Sequence, residues 1–259
     1  MDVTHAWDAS GNLVTRQDVL TSETESFAYD FLDRLTSVSG AYTNSFTYDE
    51  IGNMMSKNGV SYSYDSTQPH AVDSVGGLSY AYDNNGNMVY RGSDNQTITW
   101  DVENRPVTVS ENGSVIATFI YDGDGNRIQK TEAGETVLYI NRFYEKNITS
   151  GNFTTSYYLG SRLIAQREGT ELRYIHQDHL SGTSLVTSDN GTLISSMKYF
   201  PYGDCRNSQG DPGTDRLFTG QRFDEGTGLY YYGARYYDPL IGRFVSPDPT
   251  VPDGGNPQS

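Results

Sequence analysis

Cysteine is nearly absent: Cys205 is the only one in 259 residues. No internal disulfide can form, and a lone thiol does not mark an oxidising compartment. No apolar run approaches the roughly 18 residues of a membrane-spanning helix. The N-terminus, Met1-Asp2-Val3-Thr4, reads as no signal peptide. Positive charge is also scarce: 18 Lys and Arg face 33 Asp and Glu, a formal net charge of −15. An acidic surface repels phosphate backbones and anionic bilayers, so neither nucleic acid nor membrane insertion is expected. Heptads and long amphipathic stretches are missing, which predicts almost no helix. No G-x-S-x-G elbow points to a Ser-His-Asp hydrolase. Nothing implies a cofactor.

What the chain does have is Tyr, 21 of them, and Gly, 27, in a repeat. A Ser or Thr, a bulky residue, a spacer, Tyr or Trp, and then Asp recur as THAWD, SFAYD, SFTYD, SYSYD, SYAYD, TITWD and TFIYD, ending at Asp8, Asp30, Asp49, Asp65, Asp83, Asp101 and Asp122. The steps are 22, 19, 16, 18, 18 and 21 residues. A fixed period of this size marks a stack of similar units. Residues i and i+2 of a strand share a face, so Phe46 and Tyr48, or Ile98 and Trp100, point one way. The Asp can accept from its own backbone two residues on and start a turn. The Gly, Asn or Asp that follows at Gly11, Asp33, Gly52, Gly86, Asn104 and Gly125 tolerates positive φ. Leu13, Leu35, Met54, Met88 and Ile128 are read as resuming the next strand. Each unit is therefore a β-hairpin. The fourth is degenerate, because Ser66-Thr67-Gln68-Pro69 follows Asp65, and a longer connection is expected there.

From about Tyr139 the spacing loosens, with a further hairpin expected over Tyr157–Gln166. The densest stretch is FTGQRFDEGTGLYYYGARYYDPLIGRFVSPDP, Phe218 to Pro249. The hairpins resemble YD repeats, and this stretch resembles the core signature of the Rhs (rearrangement hot spot) family. Bacterial polymorphic toxins, Tc toxin C subunits and animal teneurins share it. Matching signature positions are Gly220, Asp224, Gly228, Tyr230, Arg235, Tyr236, Tyr237, Asp238, Pro239, Gly242, Arg243 and Pro249.

The resemblance implies an all-β fold: tandem hairpins wound into a spiral shell or partial barrel, with a C-terminal core segment as plug. It implies YD hairpins over 1–138, degenerate repeats over 139–217, and the core signature over 218–259, cut short at its end. It implies a secreted or cell-surface protein that encloses or presents a downstream polypeptide, the toxin cargo of the same parent chain. It also implies an aspartyl self-protease in the parent, with Asp248 as one carboxylate. Such hydrolysis needs two carboxylates sharing a proton. Asp253 does not match the second family position, so the chain as it stands is not expected to cleave itself. A third possibility is an adhesive module binding a cell-surface ligand or glycan. The chain starts inside a repeat and reads as a piece of a longer exported protein with too few units to close a large shell.

Other candidates have plainer readings. Asp122-Gly-Asp124-Gly-Asn126 opens like a Ca²⁺ loop, but Arg127 and Ala133 stand where Gly and a bidentate Glu belong, which leaves a turn. His176, Asp178 and His179 fall on different strand faces and suit structural hydrogen bonding better than metal. Cys205 has no evident base nearby. Arg222, Arg235 and Arg243 are expected to form a packing network with the acidic and aromatic residues around them.

Overall fold

The computed structural model describes residues 2–65 and 67–248. Pro249 and Asp253 lie outside the described residues. Two compact units divide the chain at residues 80 and 81. In the first, consecutive strands pair antiparallel from Val3–Trp7 and Leu13–Asp18 through Glu23–Tyr29 and Asn44–Tyr48 to Val72–Val75. In the second, the same meander runs from Met88–Arg91 to Cys205–Gln209. It includes the expected hairpin of Phe153–Leu159 with Arg162–Glu168. A separate four-stranded sheet follows, Arg222–Asp224, Leu229–Tyr231, Tyr236–Asp238 and Arg243–Phe244. The only helix among the described residues is the 3-10 turn Phe218–Gly220.

The repeat motif builds each turn. Asp8 accepts from the backbone N–H of Ser10 at 2.9 Å and of Asn12 at 2.8 Å. Its carbonyl takes the N–H of Gly11, whose φ is +91°. Asp49, Asp83, Asp101 and Asp122 repeat the pattern. Asp33 and Asn104 take up φ of +59° where other repeats use Gly, as short polar side chains can. After Asp65 the connection lengthens to Ala71, as its sequence predicts.

The aromatic before each Asp links repeats. Tyr48 Oη donates to the Leu35 carbonyl at 2.7 Å, Tyr64 to Met54 at 2.8 Å and Tyr121 to Pro106 at 2.8 Å. Trp100 does the same through Nε1 to Met88 at 2.8 Å. A register shift sits at this residue in hairpin after hairpin, between Thr47 and Tyr48 or Ile120 and Tyr121. Such bulges re-aim side chains. A Phe could fill the space but could not donate, which accounts for the Tyr-or-Trp rule.

The Asp122 repeat departs from the others. Ile128 lies in the next strand, Arg127–Glu132, but the residue occupying the core position is Arg127, 3% exposed, while Ile128 points outward at 39%. Leu13, Met54 and Met88 hold the equivalent place five residues after their Asp and are buried. The turn length fixes the register, so a cation enters where the other repeats place an apolar side chain.

Candidate functional site

The second unit packs its four-stranded core sheet against its hairpins through buried charge. Arg127 is the centre. Its guanidinium is bidentate on Asp224, with Nη2 to Oδ1 at 3.2 Å, and neither side chain is exposed. Phe119, Tyr139, Tyr231 and Tyr236 surround it with ring centroids 4.4–5.8 Å away. Burial alone would lower the Arg127 pKa, but the Asp224 carboxylate outweighs it and the pKa lies well above the ordinary value. Lys130, three residues on in the same strand, reaches the same carboxylate at 2.9 Å and Glu132 at 2.9 Å. Its ammonium is likewise held above its usual range despite burial.

Two more contacts repeat this logic. Arg91, 1% exposed, places Nε 2.6 Å and Nη2 3.1 Å from Asp238, which is 0% exposed. Arg222 forks onto Glu145 at 2.8 and 3.0 Å, reaches Asp215 at 2.6 Å, and stacks over Tyr139 at 4.3 Å. Burial opposes ionisation of Asp215, but Arg222, Arg216 and Lys130 push its carboxyl down to about 2. Tyr236 Oη sits 3.0 Å from Tyr121 Oη and accepts from Arg127 Nη1 at 3.1 Å. Burial raises both phenols, so they serve as neutral hydrogen-bonding groups.

The signature residues gather here. Asp224, Tyr236 and Asp238 sit among these ion pairs, and Tyr230 packs with Phe218 and Phe223. Tyr237 donates to the Tyr202 carbonyl at 2.9 Å. Gly228 has φ +71°, and a Cβ there would lie 3.5 Å from the Arg91 guanidinium. Gly220 and Gly242 also hold positive φ, at +72° and +69°, with Ser181 and Tyr202 close by. Pro239 lines a cavity beside this sheet, and Arg243 pairs in register with Asp238. Arg235 lies 3.7 Å over the Phe244 ring and 2.9 Å from Asp248, which is 36% exposed.

The expected arginine network therefore exists, with different partners. Arg222 bonds Glu145 and Asp215, not its sequence neighbours Asp224 and Glu225. Arg91, Arg127, Lys130 and Glu145, contributed by the hairpins, were not singled out from the sequence. A signal was present: eight residues after the repeat Asp, the inward place held by Val38 and Val109 is taken by Arg91 and Lys130. A cation at a buried position demands a carboxylate partner.

The remaining candidates resolve locally. The Asp122 carboxylate is occupied by its own turn, including Asn126 Nδ2 at 3.1 Å. His176 Nε2 meets Thr187 Oγ1 at 3.0 Å, while Asp178 caps Leu180 and Gly182. Cys205 is exposed.

A meander of Asp-turn hairpins with a charged core sheet locked against it defines a class, the YD-repeat shell. Residues 2–254 match the family described as Teneurin YD-shell, and the chain belongs to that family. It is similar to the tRNA nuclease WapA of Bacillus subtilis (strain 168), 32% identical over 231 residues, which covers 82% of this chain and 10% of that protein. It is also similar to toxin subunit YenC1 of Yersinia entomophaga, 27% identical, covering 81% of this chain and 27% of that subunit. Among solved structures it resembles the TcdB2-TccC3-Cdc42 crystal structure, with TM-score 0.65, 18% identity, and coverage of 98% of this chain and 17% of that one. The chain thus spans about a tenth of the length of the WapA relatives it matches.

Proposed function

We propose that this chain is a structural segment of an exported YD-repeat shell that encloses or presents a downstream polypeptide of its parent, in relatives of this kind a toxin. The observation that carries the reading is the buried Arg127–Asp224, Arg91–Asp238 and Arg222–Glu145 pairing. It fixes the core sheet against the hairpins, as a plug requires. Family membership and the toxin relatives support the role.

A second reading concerns Asp248. Arg235, itself stacked on Phe244, holds this carboxylate in a fixed direction. That suits one half of an aspartyl pair completed by a residue beyond this chain. One experiment tests both readings. The whole reading frame carrying residues 1–259 is expressed, and digestion of the region after Ser259 is compared with the same region made alone. Enclosure predicts protection in the intact protein and its loss in Asp224→Ala. Digestion at equal rates overturns it. Spontaneous cleavage abolished by Asp248→Asn supports the protease, and cleavage that survives this substitution contradicts it.

A further inference from the structure

Beside the core sheet lies a cavity of 850 Å³. Six carboxylates line it: Asp94, Glu132, Asp204, Asp211, Asp215 and Glu225. Only two cations do, Arg91 and Lys130, and both also face the fully buried Asp238 and Asp224; of the six carboxylates, Asp94, Glu132 and Asp215 are already ion-paired, with Arg91, Lys130 and Arg222. The cavity therefore carries excess negative charge. Its apolar lining includes Tyr199, Phe223 and Tyr230, rings able to face a cation.

A strand edge contributes to the wall of this cavity. Within residues 81–248 the strand Cys205–Gln209 pairs with Leu193–Tyr199 and with no other. The register shift between Lys198 and Tyr199 leaves Met197 opposite Ser208 and Tyr199 opposite Cys205. These four share one face, and all four line the cavity. Cys205 and Ser208 are exposed, so the edge is open to solvent where the charge lies.

We propose that this edge and cavity form a binding site for an extended basic peptide segment. The segment adds as a strand along Cys205–Gln209, so main-chain hydrogen bonds supply affinity. Alternate side chains, about 6.5–7 Å apart along one face, enter the cavity. Lys or Arg there meets carboxylates and aromatic rings, whereas an acidic segment meets the excess of like charge. The inference rests on the enclosure reading for the source of such a segment, but its test does not.

Cys205, the sole cysteine, reports occupancy directly. The 259-residue protein is alkylated with a maleimide in the presence of a peptide of about nine residues, Lys and Thr alternating, long enough for one strand. The expected result is alkylation slowed about tenfold at saturation, with no slowing by the Glu-for-Lys peptide. Methylating the backbone nitrogens of the basic peptide removes strand pairing but keeps its charge, and should weaken protection about tenfold. Raising salt to about 0.5 M should weaken it similarly. Glu225→Gln with Asp211→Asn, both outside the buried ion pairs, should reduce affinity while the melting temperature stays unchanged. Equal protection by acidic and basic peptides, full protection by the methylated peptide, or binding without protection of Cys205 each overturns the site. None of these outcomes bears on protease resistance of the region after Ser259, so failure here and failure of enclosure are told apart.

Discussion

Arg127 shows how one residue can matter more than its repeat. A buried ion pair is weak evidence of net stabilisation, because desolvation offsets attraction, yet removing one partner strands the other. Asp224→Ala would leave Arg127 and Lys130 buried without their shared carboxylate. Chemical denaturation should show a loss of about 3–5 kcal/mol. Arg127→Met and Lys130→Met combined with Asp224→Leu should recover most of it, since apolar side chains of similar volume then replace the whole charged cluster. A loss below about 1 kcal/mol for Asp224→Ala would remove the pair from the account. Asp215 adds a pH dependence. Its folded pKa of about 2 lies below the ordinary 3.8. Its stabilisation, on the order of 2 kcal/mol, is therefore present above about pH 4 and fades as pH falls toward 2. Hydrogen bonds from Asn12 and Asn126 likewise hold the Asp8 and Asp122 carboxyls low, so acid weakens the turns as well. Stability measured from pH 6 down to pH 2 should fall less steeply in Asp215→Asn than in the native protein. Identical slopes would contradict the assignment.

At the scale of the hairpin, the unit was legible in sequence because its causes are local. An Asp that caps its own turn, a residue that accepts positive φ and an aromatic pair on one face all lie within about ten residues of each other. Neither the bulge, which sits inside each hairpin, nor the Tyr-to-carbonyl link, which joins one repeat to the previous one, was legible. They yield a plain prediction. Tyr48→Phe keeps the ring and loses the 2.7 Å bond to the Leu35 carbonyl. It should cost about 0.5–1.5 kcal/mol in thermal or urea unfolding. No measurable cost would mean the hydroxyl plays no part in joining repeats. Ile128 does resume the strand, but its apolar character gave no sign that turn length places Arg127 in the core.

At the scale of the whole chain, the family could be read from the length and density of the Phe218–Pro249 signature. The ion-pair partners could not, because Arg127 and Asp224 lie 97 residues apart and only the fold joins them. Charge at inward repeat positions was the available hint. The pairs assign particular core strands to particular hairpins: Arg222–Asp224 to the strands bearing Arg127, Lys130 and Glu145, and Tyr236–Asp238 to Met88–Arg91. That assignment is the central claim. Hydrogen exchange on the intact 259-residue chain tests it most directly. In the native protein, Leu229–Tyr231 and Tyr236–Asp238 should be protected as strongly as Ser114–Tyr121 and Arg127–Glu132. In Asp224→Asn, exchange of the core strands should accelerate by about a hundredfold or more, while Val3–Trp7 and Leu13–Asp18 stay unchanged. Core strands that exchange freely in the native protein, or that ignore the substitution, would contradict the account.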